Sequence, residues 1–215
     1  MDFQKYKNNG WGISKLGFSK IFDILLNNNK KNFNCIEFGS GISTEFFIDF
    51  AIEHSKDKII NLTSFDNDKK YMYKPTKKYS FLDIKYRELI ECDDDHYNRM
   101  FNEGLYIKEG FYKKKSLLST RQKNNFYDIK DGDISGKYDF VLLDGPNGNG
   151  RNISFLHLIN HITPSSIIFI DDYTHYDFVE KFLHIFNARE IFRNTGGLKN
   201  KWNSGGDFII FEIID

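Results

Sequence analysis

Acidic side chains follow several apolar runs of this 215-residue sequence, each at the point where the run ends. Asp66 and Asn67 come directly after one run, Asp144 after a second, and Asp171 with Asp172 after a third. The carboxyl ends of parallel strands meet at one edge of a sheet, so these side chains are expected to converge there. The interiors of the runs are apolar, and the carboxylates are therefore not randomly placed. Their positions predict a site for a polar ligand.

A glycine-containing turn follows the first of these runs. The letters EFGSGIST at residues 37–44 close an apolar run and open a helical pattern. Such a turn lets a ligand approach the bare backbone of Gly39 and Gly41 and meet the free N–H groups of the helix start. This geometry is typical of nucleotide sites, although plain tight turns have it too. Thr44 stands where a third glycine would be, which weakens the case for NAD or FAD, and the lysine of a P-loop is missing.

Asp66 strengthens the nucleotide interpretation. It ends the next predicted strand, and a carboxylate there can accept hydrogen bonds from both hydroxyls of a ribose. The alternative is that Asp66, Asn67 and Asp68 cap a helix that begins near Lys69.

Apolar runs alternate with helical patterns along the chain, which is typical of a parallel sheet with crossover helices. At least five helices are expected, including helices that begin near residue 43, line an apolar face over 155–162, and span 176–186. The final two strands are close enough in sequence to pair as an edge hairpin. The predicted strands cover residues 34–38, 59–65, 81–90, 138–143, 166–170, 190–192 and 208–214.

Length and composition limit the classes of protein. The chain suits one well-buried domain, so we predict a single domain over 1–215 with a polar insertion around 92–137. Thirty Lys and Arg balance thirty Asp and Glu, and no global field favours nucleic acid. Cys35 and Cys92 are too few for a disulfide framework and fit a reducing compartment. The polar start of the chain and the lack of an apolar run of about 20 residues predict a cytoplasmic protein without a membrane partner.

Together these segments resemble class I S-adenosylmethionine-dependent methyltransferases. EFGSGIST followed by SFDND at 64–68 is similar to the first two motifs of that family, and YDFVLLDGPNGNGR at 138–151 with IIFIDDY at 167–173 is similar to its fourth and fifth strand regions. The resemblance covers residues 11–215 except 92–137. It implies a Rossmann-like α/β fold with helices on both faces of a seven-stranded sheet, mostly parallel with the last strand antiparallel, and S-adenosylmethionine bound across the strand ends.

The resemblance also implies which residues bind the cofactor. It places Glu37 and Gly39 beside the methionine portion, lets the cofactor pack on Gly41, and assigns the ribose to Asp66. The complete predicted set is Glu37, Gly39, Ser40, Gly41, Ser43, Thr44, Asp66 and Asn67.

Asp144, Asp171 and Asp172 resemble the metal ligands of cation-dependent O-methyltransferases of the catechol and caffeoyl-CoA type. Those enzymes have Asp at the first position and Asp-Asn at the second, and here Asp172 stands in place of the Asn. Converging carboxylates repel one another unless protons or a hard divalent cation neutralise them, which predicts Mg²⁺ or Mn²⁺. The alternative is that Asp172 caps the following helix while Asp144 bonds to backbone in its own turn.

A general base is needed only if the methyl acceptor is a hydroxyl. His175, just after the paired aspartates, has an ordinary pKa of about 6.5 that suits this task. Asp144 is the rival base if no metal binds there. The alternative for His175 is a solvated surface group.

The letters DGPNGNGR also resemble the glucuronoxylan methyltransferase group, although Gly148 and Gly150 precede Arg151 in a shorter loop. This resemblance implies a sugar acceptor. We therefore predict an O-methyltransferase acting on a small molecule or glycan. Its rivals are an N-methyltransferase, a nucleic-acid methyltransferase, which the neutral charge disfavours, and a non-catalytic binding module. The oligomeric state stays open, with a homodimer as one option.

Other features are interpreted as structural. His157 and His161 have the spacing of a metal pair but are expected on a solvated helix face, and residues 93–96 are expected in an exposed loop. The basic and aromatic residues between 111 and 127 are expected to be solvated. Trp11 either covers the cofactor or packs on the first helix, and the glycine-rich stretch 196–206 with Trp202 either builds an acceptor pocket or forms a hairpin.

Overall fold

The computed structural model describes residues 1–7, 12–113, 123–196 and 206–215. The helices are α1 (Lys15–Asn27), α2 (Ile42–Glu53), α3 (Asp94–Glu103), α4 (Ile153–Leu158) and α5 (Phe178–Ile185). The strands are β1 (Asn32–Phe38), β2 (Ile59–Asp66), β3 (Leu82–Tyr86), β4 (Leu89–Glu91), β5 (Tyr112–Lys113), β6 (Asn125–Tyr127), β7 (Tyr138–Leu143), β8 (Ile162–Asp171), β9 (Ala188–Thr195) and β10 (Asp207–Ile213). Short 3-10 helices, Phe3–Tyr6 and Asn149–Asn152, precede α1 and α4.

Seven strands form one mixed sheet in the order β3-β2-β1-β7-β8-β10-β9. The first five strands in this order pair in parallel, and β10 is antiparallel to both of its neighbours. The predicted seven-stranded Rossmann-like α/β fold with an antiparallel last strand is confirmed, as is the pairing of the last two strands. The chain passes from β1 to β2 on one side and later returns to β7 on the other. The strand order therefore reverses between β1 and β7, where open α/β sheets bind ligands.

Helices cover both faces of this sheet. Along β7, Phe140 and Leu142 pack into a core with α1 and α2, whereas Val141 and Leu143 pack into a second core with α3, α4 and α5. The central strands are buried on both faces, which explains why they read as continuous apolar runs. Among the described helices, none combines the length and apolar character needed to cross a bilayer.

The predicted strand over 81–90 is wrong, because the structure divides it into two strands of different sheets. β3 belongs to the large sheet, whereas β4 pairs with β5 and β6 in a small antiparallel sheet. Arg87 stands at the division. Its N–H donates to the carbonyl of Asp66 at 2.8 Å, and its guanidinium binds Asp133, with Nε 2.6 Å from Oδ2. The N–H bond continues the pairing of β3 with β2, the guanidinium bond fixes Arg87 to Asp133, and β4 then begins at Leu89.

Helix boundaries also differ from the prediction. The helix expected over 155–162 ends at Leu158, and Ile162 already pairs with Tyr138 at the start of β8. The helix expected from residue 176 begins at Phe178.

Much of the segment 92–137 is packed into the core. Tyr97, Met100 and Phe101 of α3 are buried, as are Phe126 and Tyr127 of β6. The interpretation of residues 111–127 as solvated is wrong for Phe126 and Tyr127, and residues 114–122 lie outside the described part of the chain.

The loop expected at residues 93–96 is wrong, because these residues begin α3, although Asp93, Asp94 and Asp95 are exposed as expected. Asp93 caps α3, since its Oδ1 accepts the N–H of His96 at 2.7 Å. The His96 side chain is buried and its Nε2 lies 2.8 Å from the carbonyl oxygen of Ile107.

His157 does not lie on a solvated face. Its imidazole packs against the Tyr106 ring, with 3.9 Å between the ring centroids, and stacks on Phe126 at 5.6 Å. Among the described residues, no hydrogen-bond partner is found for its buried Nε2. Burial lowers the pKa of His157 to about 3, and the charge of His161 adds to this effect. Nδ1 of His161 lies 2.8 Å from the carbonyl oxygen of Gly136, so the two histidines do not form a metal pair.

We predict that His157 makes the fold sensitive to acid. A histidine whose pKa is lower in the folded state binds its proton more tightly in the unfolded state, so stability falls as the pH drops below about 6.5. Between pH 7.5 and pH 5 the His157 contribution should reduce the free energy of unfolding by about 2 kcal/mol. Urea unfolding of wild type and of His157→Phe, which keeps the ring contacts, measures this at both pH values. An equal pH dependence in both proteins would contradict the prediction.

Candidate functional site

The polar residues predicted to form a site lie at the carboxyl ends of four adjacent parallel strands. The glycine turn follows β1, Asp66 ends β2, Asp144 follows β7, and Asp171 ends β8. The strand order reverses between the first and third of these strands, so the turn and Asp144 face each other across the reversal point. The structure therefore assembles residues that are 134 positions apart in sequence, from Glu37 to Asp171, along one sheet edge.

The absence of a side chain has a different consequence at Gly39 and at Gly41. Gly39 has φ +104°, and a Cβ there would stand 2.9 Å from the backbone nitrogen of Gly145 and 3.0 Å from the carbonyl carbon of Asp144. Gly39 is required because the ends of β1 and β7 approach so closely. A Cβ on Gly41 would meet nothing within 4 Å. Gly41 instead leaves open space in front of α2, where a ligand could approach the backbone.

Glu37, in β1, fixes the position of the glycine turn through hydrogen bonds. Its buried carboxylate accepts hydrogen bonds from Ser43, from Oγ1 of Thr44 at 2.6 Å and from Oγ of Ser64 at 2.6 Å. Burial raises the pKa of Glu37 to about 7, although the three hydroxyl groups act in the opposite direction. Both carboxylate oxygens are thus engaged with the first turn of α2 and with β2. Glu37, Ser43 and Thr44 form a connected set that fixes the helix start relative to two strands.

Ser40 links the turn to the loop after β2. Its Oγ lies 3.1 Å from Oγ1 of Thr44 and accepts the N–H of Tyr73 at 3.1 Å. The backbone N–H groups of Gly39 and Ser40 both donate to the carbonyl of Phe65, at 2.9 Å and 3.1 Å. The turn is therefore pinned to the end of β2 by backbone and side-chain bonds.

Asp66 is largely buried at the end of β2. Its Oδ1 accepts the backbone N–H of Asp68 at 2.6 Å, and the backbone N–H of Asn67 also bonds to this carboxylate. Burial raises the pKa of Asp66 to about 6, against the effect of these amides. The helix that the alternative interpretation places near Lys69 does not form, since residues 67–80 contain turns and bends. The Asp66 carboxylate therefore stabilises the turn that follows β2, and it lies beside the glycine turn.

Three carboxylates converge at the ends of β7 and β8. Asp144, Asp171 and Asp172 each place one oxygen within 4.8 Å of the other two. Two oxygen ligands of one divalent cation, each about 2.0–2.6 Å from the ion, are separated by no more than about 5 Å, so this spacing fits a metal site. Asp172 has φ +54°, and it lies too far before α5 to cap that helix, because Asp177 is the N-cap residue.

Arg151 connects the two strand ends that carry these carboxylates. Its buried guanidinium donates to the carbonyl oxygens of Asp171 at 2.8 Å, Asp144 at 3.0 Å and Pro146 at 3.2 Å. The planar group with several N–H donors suits three carbonyl oxygens at fixed angles, which an ammonium group could not match. Arg151 thus orients the backbone from which the carboxylates project and places one positive charge near them. Its position at the end of GPNGNGR, after a buried strand, was the available sequence signal for this role.

His175 lies in the turn between β8 and α5 and is exposed. Its backbone N–H donates to the carbonyl oxygen of Asp172 at 3.0 Å. The backbone of the candidate base is therefore tied to the carboxylate cluster, while its side chain faces solvent. Trp11, Trp202 and most of the stretch 196–206 lie outside the described residues.

Comparison with known proteins supports the fold. No family model and no curated protein matches the chain. The apo structure of CmcI-N160 aligns with a TM-score of 0.50 and 11% sequence identity, over 93% of this chain and 71% of that one. A proposed class I S-adenosylmethionine-dependent methyltransferase from Listeria monocytogenes aligns with a TM-score of 0.48 and 10% identity, over 97% of this chain and 63% of its own length.

The two glycines of the turn should respond differently to replacement by alanine. Gly39→Ala places a methyl group against the backbone of Gly145 at a positive φ, so we expect a loss of at least about 2 kcal/mol in the free energy of unfolding. Gly41→Ala meets no atom and should change that free energy by less than about 0.5 kcal/mol. Thermal and urea unfolding of both variants measures the difference. Equal destabilisation would show that the described approach of β1 and β7 is incorrect.

Proposed function

We propose that this chain is an S-adenosylmethionine-dependent methyltransferase that acts on a hydroxyl group of a small molecule or sugar. The observation that carries the proposal is the meeting of the glycine turn, Asp66 and Asp144 at the reversal point of the sheet. Ligands of open α/β sheets bind at this point. The segments that meet here resemble the cofactor-binding segments of class I methyltransferases, which favours S-adenosylmethionine as the ligand.

The cofactor-binding set divides into residues that face the site and residues that support it. Gly39, Ser40 and Gly41 offer backbone at the start of α2, and Asp66 with Asn67 stands where a ribose would be held. Ser43 and Thr44 both donate hydrogen bonds to Glu37, so the contribution of these three residues is to maintain the conformation of the turn. A site whose support is fully hydrogen-bonded is already organised before a ligand arrives.

Methyl transfer mainly requires that donor and acceptor are held in line. Holding the two reactants together can by itself lower the activation barrier by several kcal/mol. A rigid site that positions the acceptor therefore supplies most of the rate enhancement. S-adenosylmethionine supplies a methyl group on a sulfonium. Transfer of this methyl group to an acceptor hydroxyl would release the hydroxyl proton. His175 is the candidate to accept this proton, and Asp144 is the rival base if no metal binds there.

Asp144, Asp171 and Asp172 are the residues that would hold a divalent cation. Their oxygen-only donor set and their mutual spacing fit Mg²⁺ or Mn²⁺. When bound, such a cation would lower the pKa of an acceptor hydroxyl. The guanidinium of Arg151 donates to the carbonyl oxygens of Asp144 and Asp171 and so places a positive charge near these carboxylates.

Two rivals make different predictions. An N-methyltransferase would use the same cofactor residues without a metal, so chelation would leave its activity unchanged. A binding module that kept the fold and lost the chemistry would bind no cofactor at all.

Calorimetry with S-adenosylmethionine tests the cofactor. We expect binding to wild type and an affinity about 10- to 100-fold lower for Asp66→Ala, since two hydrogen bonds to a charged acceptor are lost. Asp83→Ala, which removes an exposed carboxylate from β3 of the same sheet, is the matched control and should bind as wild type does. Absence of binding to wild type at millimolar cofactor would refute every enzymatic interpretation.

Calorimetry with Mn²⁺ or Mg²⁺ alone tests the metal. We expect one site in wild type, no detectable site in Asp171→Ala, and a retained site in Asp172→Asn, because an amide oxygen replaces the lost ligand as in the cation-dependent enzymes that this segment resembles. Circular dichroism checks that Asp171→Ala is folded. Metal binding that survives Asp171→Ala, or none in wild type, would reject the metal and leave the cofactor proposal standing.

A further inference from the structure

Tyr127, the last residue of β6, is held rigidly at the floor of the candidate site. Its ring stacks on Phe38 at the end of β1, with 6.1 Å between centroids and an interplanar angle of 20°, and lies 6.2 Å from Phe65 near the end of β2. Phe126 packs edge-on at 5.1 Å. Only 1% of Tyr127 is exposed. Its ring therefore has little freedom to reorient.

The Tyr127 hydroxyl lies where the ends of β1 and β7 meet. A Cβ on Gly145 would stand 2.6 Å from this oxygen and 2.9 Å from Cα of Gly39. The hydroxyl therefore lies beside Gly145, which itself contacts Gly39. Among the described residues, no hydrogen-bond partner of this hydroxyl is found, although other buried tyrosines have one, such as Tyr97 with Asn152 at 2.9 Å.

The surroundings keep the hydroxyl protonated. Burial raises the pKa of Tyr127 well above 10, the negative charges of Asp66, Asp144 and Glu37 add to this, and the charge of Arg151 acts in the opposite direction. Tyr127 thus presents an O–H donor in a site whose other side chains are mainly acceptors. An anionic group of a ligand would be repelled by those carboxylates and needs such a donor.

We propose that Tyr127 is a cofactor-binding residue whose hydroxyl donates a hydrogen bond to the methionine carboxylate of the sulfonium nucleotide. This inference rests on the proposed function. Three observations point to this group: the hydroxyl has no hydrogen-bond partner among the described residues, it lies beside Gly145 where that residue contacts Gly39, and it is a neutral donor. A ribose hydroxyl can donate to Asp66, whereas the carboxylate of the cofactor can only accept.

Calorimetry with two nucleotides tests the assignment. S-adenosylhomocysteine carries the amino-acid carboxylate, and 5′-methylthioadenosine lacks it. We expect Tyr127→Phe to bind S-adenosylhomocysteine about 10-fold or more weakly than wild type and to bind 5′-methylthioadenosine with unchanged affinity. The melting temperature of the ligand-free variant should be equal to or above that of wild type, because the removed hydroxyl has no partner to lose.

Tyr97→Phe is the matched control. Its hydroxyl bonds to Asn152 and to the carbonyl oxygen of Asn149, so this variant should lower the melting temperature and leave both affinities unchanged. Unchanged S-adenosylhomocysteine affinity in Tyr127→Phe, or an equal loss for both nucleotides, would overturn the inference while the proposed function stands. Failure of wild type to bind either nucleotide would overturn the proposed function and this inference together.

Discussion

The backbone contact between Gly39 and Gly145 determines how the rest of the site is arranged. A Cβ on either residue would stand 2.9 Å from backbone of the other segment, so the chain ends of β1 and β7 touch without side chains between them. This contact brings the glycine turn, Asp144 and the Tyr127 hydroxyl to one place. It also explains why a glycine follows the aspartate of β7. The approach is possible only because both positions lack a Cβ.

Two buried charged groups maintain this contact from opposite sides. Glu37 ties α2 and β2 to β1 through three hydroxyl groups, and Arg151 ties β7 to β8 through carbonyl oxygens. Burial of a charge costs free energy unless hydrogen bonds compensate it, and here each charge has three. The raised pKa of Glu37 shows that compensation is incomplete.

The sheet could be predicted from the sequence because its strands obey local rules. β2 and β8 end at an aspartate, β7 is followed by one, and α2 and α4 fill the connections from β1 to β2 and from β7 to β8. The division at Arg87 could not be predicted, because it depends on Asp133, which is 46 residues away. The convergence of the carboxylates could be predicted from the expected order of the strands. The contacts of Arg151 could not, because its partners are backbone carbonyl oxygens, which every residue has.

The segment 92–137 shows most clearly why polarity alone misleads. Its charged residues suggest a solvated insertion, yet β6 pairs Tyr127 with Leu89 and carries it to the ends of β1 and β2. A strand of three residues has no periodicity to detect, and its burial depends on aromatic partners 62 and 89 positions earlier, at Phe65 and Phe38. The segment therefore supplies a wall of the candidate site.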